Sequence, residues 1–173
     1  MSKPLRSLTG EDLSAYAASL FLTVGGEDDF RYFLPRIFEI SATDDSWWPD
    51  PEVVLGKLRL AQWENWKPDE KGAVIGFVDA VLTDCINDPG RDIDAWVCAI
   101  AHCTDDMSPY LNQVGKNLTS LVRLYEANSE QLLKGKLANG FWDDAPDARD
   151  QLVEWFKSEK VMKIINDYYK TKT

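Results

Sequence analysis

Apolar residues recur at helical spacing along most of this chain, and that periodicity constrains its fold more than any other feature. The clearest stripe lies within residues 68–85 and consists of Val74, Phe77, Val78, Val81, Leu82 and Cys85. Residues spaced in this way share one face of a helix, which can then pack against a core. No segment alternates between apolar and polar residues between hairpin turns, so the sequence predicts no β-sheet.

Helix-start signals divide the chain into eight or nine helices. Thr9, with Asp12 three residues later, resembles a capping box, and the third helix is predicted to begin with Asp50 as its cap and Pro51 at the first helical position. Pro68 and Pro146 begin later helices in the same way. Helices of ~10–18 residues with short links pack antiparallel to their neighbours, so we predict one all-α domain over residues 1–173. An irregular HEAT-like array of helical hairpins stays open, because no repeat of about 40 residues is found.

Three further predictions concern where helices break or end. Pro35 should kink or divide the second helix, because it removes a hydrogen bond and clashes with the preceding turn. A sixth helix is predicted over residues 111–125, with Gly115 as a point of interruption. Three leucines within residues 132–137 predict a short seventh helix.

Acidic side chains are concentrated in the middle of the chain. Of the 173 residues, 19 are Lys or Arg and 29 are Asp or Glu, and residues 41–106 alone carry five basic and fourteen acidic ones. Such a surface repels phosphate backbones, so we expect no binding to nucleic acid. It would attract a basic protein partner and accelerate their encounter. A solvated surface that only keeps the protein soluble is the simpler alternative.

Length, hydropathy and cysteine content favour a cytoplasmic protein. A chain of 173 residues is long enough to bury its own core. No run approaches the ~20 apolar residues of a membrane span, and no apolar run follows the basic residues of the N-terminal stretch MSKPLRSLTGEDL. Three cysteines without an export signal indicate reduced thiols. We therefore expect no membrane association and no secretion.

Asp-Asp doublets occur four times, at or just before a predicted helix start or in the loop that leads to it. They are Asp28–Asp29, Asp44–Asp45, Asp105–Asp106 and Asp143–Asp144. Paired carboxylates can bind a metal or act in acid–base catalysis. A helix N-terminus also favours aspartate, through its unpaired N–H groups and positive dipole. We expect capping, because no doublet has the alternating ligands and central glycine of a calcium loop.

One short segment, CAIAHC, carries the residues that could bind a metal or act as a nucleophile. Cys98 and His102 are four residues apart and share a helix face, whereas Cys103 lies about 100° further round. A structural zinc site has two ligand pairs at short spacing, and only one is visible. We therefore expect core cysteines, a hydrogen-bonded histidine, no metal and no cofactor. Catalytic motifs such as G-x-S-x-G and H-E-x-x-H are absent, so no catalytic residue is predicted.

Four of the seven tryptophans lie at the two ends of the predicted third helix. Trp47 and Trp48 precede it, and Trp63 and Trp66 end it, roughly 20 Å away. A single aromatic cage is therefore not expected, and Trp63 is predicted to continue the buried stripe of that helix. Neighbouring residues in an extended loop point in opposite directions. We expect one of Trp47 and Trp48 to anchor the loop, and the exposure of the other stays open.

Exposed tryptophan next to Asp44, Asp45 and Asp50 has the composition of a binding hot spot with an acidic rim. These three aspartates, Trp47 and Trp48 are therefore the candidate partner-binding residues. The alternative is that both tryptophans only pack against the core.

Two long stretches resemble a family of bacterial proteins with no known activity. They are KPLRSLTGEDLSAYAASLFLTVGGEDDFRYFLPRIFEI and DPEVVLGKLRLAQWENWKPDEKGAV. Members of that family read PLR-x-LT-x-[ED]DL, then DF-x-x-FLPR and DPE-x-x-LGKLR, and FWDDAPDARDQLVEWF is similar to their C-terminal part. The resemblance implies a bacterial, cytosolic, mostly helical protein. It brings no activity, cofactor or catalytic residue.

Two functions from different classes are consistent with these patterns. The favoured one is a protein-interaction module, adaptor-like or immunity- or antitoxin-like, which should have an acidic face, an exposed tryptophan and no deep pocket. The alternative is a small-ligand binder or enzyme. It should have a cavity between helices that is lined by aromatic side chains and at least two carboxylates.

Overall fold

A computed structural model describes residues 3–172 and confirms the all-α fold. Within these residues there are nine α-helices and no β-strand. The helices are α1 (Gly10–Ser19), α2 (Glu27–Thr43), α3 (Pro51–Leu60), α4 (Pro68–Asn87), α5 (Ile93–Ala101), α6 (Ser108–Val114), α7 (Leu118–Leu132), α8 (Pro146–Lys157) and α9 (Glu159–Lys170). Short 3-10 turns lie at Leu5–Ser7, Trp63–Asn65 and Gly140–Asp144.

The chain forms two compact units, with the boundary inside α4. Unit 1 is Met1–Val81 and contains α1, α2, α3 and the first part of α4. Unit 2 is Leu82–Thr173 and contains the rest of α4 and the helices from α5 to α9. The single domain and the HEAT-like arrangement both stay predictions.

Several predicted helix starts are confirmed by the hydrogen bonds at their first turns. The Thr9 hydroxyl accepts from the Asp12 N–H at 3.2 Å, and the Asp12 carboxylate accepts from the Thr9 N–H at 2.9 Å. This is the reciprocal capping box that the sequence predicts. The pKa of Asp12 is lowered to about 2 by its hydrogen bonds with Lys3 and Thr9. Pro51, Pro68 and Pro146 each begin a helix, as predicted.

Pro35 was expected to kink or divide the second helix, and division is wrong, because α2 continues through it from Glu27 to Thr43. A kink at Pro35 stays a prediction. Pro35 has no N–H to donate to the backbone carbonyl one helical turn earlier. Because Pro35 is exposed, water can hydrate that carbonyl instead. The opposite face of α2 is buried, including Phe30, Leu34 and Ile37. Packing of that face therefore outweighs the lost hydrogen bond.

The predicted sixth and seventh helices are placed differently by the structure. The interruption at Gly115 separates α6 from α7, and Asn117 caps the new helix by accepting from the Ser120 N–H at 3.0 Å. A helix over residues 132–137 does not form. Instead α7 ends at Leu132, Leu133 is 92% exposed, and Gly135 takes a left-handed φ of 69°. Glycine tolerates that conformation, which ends the helix there.

Unit 2 has a buried polar network beside its central helix. All residues of α5 except Ala95 are buried, including Asp94. The Asn128 side chain on α7 donates to the Asp94 carboxylate at 2.6 Å and to the Leu124 carbonyl at 3.1 Å. Its oxygen accepts from the Ala138 N–H at 2.9 Å. One amide group thus joins α5, α7 and the segment that follows α7.

Relative to wild type, Asp94→Asn is expected to be more stable at pH 7 than in acid. Burial raises the pKa of Asp94 above 3.8, against hydrogen bonds from Asn128 and Asn139 that favour the carboxylate. At a pH above the pKa of Asp94 in the folded protein, the native state carries a buried negative charge that lowers its stability. Below about pH 4 Asp94 is protonated in both the folded and the unfolded state, so this cost disappears. Urea unfolding of both proteins at pH 7 and near pH 4 measures the difference. An advantage that is equal at the two pH values would contradict the buried-charge interpretation.

Candidate functional site

Trp47 is the tryptophan that anchors the loop between α2 and α3. Its indole N–H donates to the Gly10 carbonyl at 2.9 Å, and its ring is only partly exposed. A Cβ at Gly10 would lie 2.7 Å from Trp47 Cδ1 and 3.0 Å from its Nε1. The first residue of α1 must therefore lack a side chain for the indole to reach the backbone.

Gly10→Ala is expected to lower the free energy of unfolding by about 1 kcal/mol, because the new methyl group overlaps the Trp47 ring. The same substitution normally favours a helix, by up to about 1 kcal/mol. Gly76→Ala in α4 is the matched control, since a Cβ there meets nothing within 4 Å, and it should stabilise the protein. Urea unfolding compares the two variants. Changes of the same sign would show that the indole does not depend on Gly10.

Trp48, in contrast, is 57% exposed although the backbone around it is fixed. Its carbonyl accepts from the Ser14 hydroxyl on α1. The Trp48–Pro49 peptide bond is cis, and Pro49 is buried. The loop is therefore held on both sides of Trp48, while its indole projects into solvent. The prediction that one tryptophan anchors the loop agrees with this geometry, and the exposed one is Trp48.

The three aspartates of the candidate site are exposed and lie at the two ends of this loop. Asp44 ends α2, and its carboxylate accepts from the Ser46 N–H at 3.0 Å and the Ser46 hydroxyl at 2.7 Å. Asp50 precedes α3, but its side chain makes no capping hydrogen bond, so the prediction that it caps this helix is wrong. The carboxylates of Asp44, Asp45 and Asp50 thus belong to the same short loop as Trp48. We call Trp48 with these three aspartates the Trp48 patch.

The other Asp-Asp doublets have local structural roles. Asp29 accepts from the Gly26 N–H at 3.1 Å at the start of α2, and Asp106 accepts from the Ser108 N–H at 2.9 Å at the start of α6. Asp143 lies 3.6 Å from Arg149 in an ion pair. The predicted capping role is therefore seen for Asp29 and Asp106. Asp44 instead forms a turn after α2, and Asp143 forms an ion pair with Arg149.

Sequence reasoning missed a groove between α2 and α4 in unit 1. Its volume is about 390 Å³, and apolar residues from both helices line it together with Trp66 and the charged residues Arg31, Glu39 and Glu70. Phe38 and Phe77 stack with ring centroids 3.9 Å apart, and the Arg31 guanidinium lies 4.7 Å above the Trp66 ring. The periodicity places Phe38 and Phe77 on helix faces but does not show which faces meet. We call this region the α2–α4 groove.

The prediction that Trp63 continues the buried stripe of the third helix is wrong. The helix ends at Leu60, Gln62 is left-handed at φ 49°, and Trp63 begins a 3-10 turn. Trp66 is the buried ring, and its indole N–H donates to Glu27 and to the Ala61 carbonyl, each at 3.1 Å. The turn rotates the following residues, so the helical spacing no longer decides which tryptophan is buried.

The residues of the CAIAHC segment are buried or partly buried in unit 2. The His102 ring bonds to the Phe141 carbonyl at 3.0 Å through Nε2, and the Cys103 thiol donates to the Ile100 carbonyl at 3.3 Å. Cys98 is fully buried in α5. Among residues 3–172, no group of three or more His, Cys, Asp or Glu could hold a metal ion. The hydrogen bonds of His102 and Cys103 explain both side chains as parts of the core.

Comparisons of the chain with protein-family models, with curated proteins and with solved structures gave no match. The resemblance to a bacterial family stays a prediction. Over the part of the chain that is described, no helix combines the length and apolarity that crossing a membrane requires.

Proposed function

We propose that the protein is an interaction module that binds a basic protein partner through the Trp48 patch. The observation that carries the proposal is the exposure of Trp48 in a loop whose packing is completed by its neighbours. Trp47 and Pro49 anchor that loop, so its structure does not depend on the Trp48 ring. Tryptophan is among the residue types most enriched in binding hot spots, and here the ring is not needed for the packing of its own loop.

Charge supports a basic partner rather than a neutral or acidic one. Unit 1 has eight basic and fourteen acidic side chains, and the patch itself contains three exposed carboxylates. A central tryptophan with charged groups around it is the usual composition of a hot spot. The three carboxylates of the same loop would steer a basic surface toward the patch and orient it. Bacterial origin, an adaptor-like or immunity-like role and a cytoplasmic location are part of this proposal.

The α2–α4 groove does not match the pocket-free surface expected of an interaction module, and it supports a second candidate function, the binding of a small ligand. Its volume is within the usual range of small-molecule sites, and Phe38, Phe77 and Trp66 supply an aromatic wall. Glu39 and Glu70 provide the two carboxylates that this alternative requires. Among residues 3–172 no nucleophile lines the groove, and its two carboxylates are paired with arginines, Glu39 with Arg36 at 2.7 Å and Glu70 with Arg31 at 3.8 Å.

Trp48→Ala is expected to abolish partner capture from an extract of the native cell without changing the stability of the protein. A hot-spot tryptophan contributes about 2 kcal/mol or more, which is a loss of roughly 30-fold in affinity. Tyr32→Ala is the matched control, since Tyr32 is an equally exposed aromatic residue of unit 1, at 58% against 57%. Quantitative mass spectrometry of the captured proteins compares wild type and both variants.

A basic protein that is retained by wild type and Tyr32→Ala but lost with Trp48→Ala would support the patch. Equal retention by all three proteins would contradict it. Ala73→Trp, which places a large ring in the α2–α4 groove, tests the second candidate. A partner or ligand lost only with that variant would move the function to the groove.

A further inference from the structure

We propose that unit 2 binds a small monocarboxylate with an apolar body, in a cavity formed by α6, α7, α8 and α9. The cavity has a volume of about 460 Å³, which is within the usual range for small-molecule sites. Its apolar wall comes from four helices and includes Leu111, Leu121, Trp155, Val161 and Ile164. We call it the Trp155 cavity.

The apolar wall of the Trp155 cavity is built from side chains that the core holds in place. Leu111, Leu121 and Val161 are at most 4% exposed, so they form a fixed floor. Trp155 is partly exposed and packs against the end of α6, where a Cβ on Gly115 would lie 3.1 Å from its Cζ2 atom. The indole therefore lies against the glycine backbone. A ligand could contact its other surface without moving α6.

The balance of charges distinguishes this cavity from the α2–α4 groove, which Arg31 lines together with its acidic residues. Lys116 and Lys160 line the Trp155 cavity, and no Asp or Glu among residues 3–172 does so, whereas Glu39 and Glu70 line the groove. In the described chain neither lysine forms an ion pair. Ser158, which also lines the cavity, is the N-cap of α9, so the positive end of that helix dipole lies at the wall.

These features fit a ligand with an apolar body and one negative charge. The leucine, valine, isoleucine and tryptophan surfaces would bury the body, and the two ammonium groups would bind the head group. Phosphate sites commonly add an arginine fork or a glycine-rich turn of backbone N–H groups, and neither lines this cavity within the described chain. The net charge of −10 also disfavours anions with several charges. A carboxylate is therefore the head group that matches the wall.

Octanoate, titrated calorimetrically into the full chain, tests this inference. We expect saturable binding at one site, with 1-octanol and octylammonium binding more weakly, since only octanoate matches both the apolar wall and the lysines. Lys116→Gln with Lys160→Gln should raise the octanoate Kd roughly tenfold. Lys163→Gln is the matched control, because Lys163 is exposed on the same helix but does not line the cavity. It should leave the Kd unchanged.

A cavity-filling variant, Ile164→Trp, should abolish octanoate binding if it folds, as judged by its circular dichroism and urea transition. The double lysine variant changes only exposed residues, so it keeps the test decisive if Ile164→Trp is unstable. The proposal is overturned if wild type binds no octanoate up to about 1 mM, or if the double variant and wild type bind it equally. It is also overturned if octylammonium binds as tightly as octanoate.

Discussion

Asn128→Ala is expected to lower the free energy of unfolding by about 3 kcal/mol. Asn128 is fully buried and makes three hydrogen bonds, to Asp94, the Leu124 carbonyl and the Ala138 N–H. Alanine would leave the buried Asp94 carboxylate without its 2.6 Å donor and the Ala138 N–H without its acceptor. An orphaned buried polar group costs about 1–3 kcal/mol, and a charged one costs more. The orphaned carboxylate, the loss of the part-buried bond to Ala138 and a small cavity account for the expected effect.

Asn166→Ala is the matched control for this prediction. Asn166 is exposed on α9, so its truncation should change the free energy of unfolding by less than about 0.5 kcal/mol. Urea unfolding at pH 7 measures both variants. Similar stabilities for the two would mean that the network around Asn128 contributes nothing to unit 2.

Lys57→Met is expected to lower the free energy of unfolding by about 2 kcal/mol. Lys57 is 6% exposed, and its ammonium donates to the Ala18 carbonyl at 3.1 Å and the Leu20 carbonyl at 2.9 Å. These carbonyls lie at the C-terminus of α1, where the helix has no further N–H groups to offer and where its dipole favours a cation. Methionine keeps most of the apolar stem but leaves both carbonyls without this donor.

Burial works against the lysine in the same place, because it lowers the pKa of Lys57 below 10.5 by penalising the charged form. The expected loss is therefore the difference between two hydrogen bonds and a desolvation cost. Lys67→Met, at an exposed position of unit 1, is the control and should have little effect. A variant Lys57→Met that is more stable than wild type in urea would show that the desolvation cost is the larger of the two.

The parts of the fold that the sequence predicts correctly are those that local chemistry determines. The capping box of Thr9 and Asp12 and the prolines that begin α3, α4 and α8 depend only on neighbours a few residues apart. The same local chemistry predicts that Pro35 kinks or divides α2, but α2 is not divided, because the packing of its buried face decides there. The extra helix after Leu132 is absent because Gly135 adopts a left-handed conformation that apolar spacing does not reveal.

In the candidate site, too, the sequence predicts the features that neighbouring residues determine and not those that depend on distant residues. The alternation of side chains in a loop predicts that one of the two neighbouring tryptophans is anchored and the other exposed. Which of them is anchored depends on Gly10, which lies 37 residues before Trp47. Only a residue without a Cβ lets the indole reach α1 at that point. The two cavities, between α2 and α4 and around Trp155, need helix faces to be paired in space. Hydrophobic periodicity shows which residues share a helix face but not which other helix packs against that face.

The most direct test of the interaction proposal is the Kd of the captured basic partner, measured by calorimetry at low and high salt. We expect Trp48→Ala to weaken binding by roughly 30-fold at both salt concentrations, because it removes apolar contact. The triple variant Asp44→Asn, Asp45→Asn and Asp50→Asn should weaken binding less and reduce its salt dependence, because it removes only the charged rim. A Trp48→Ala protein that binds within about twofold of wild type would contradict the account.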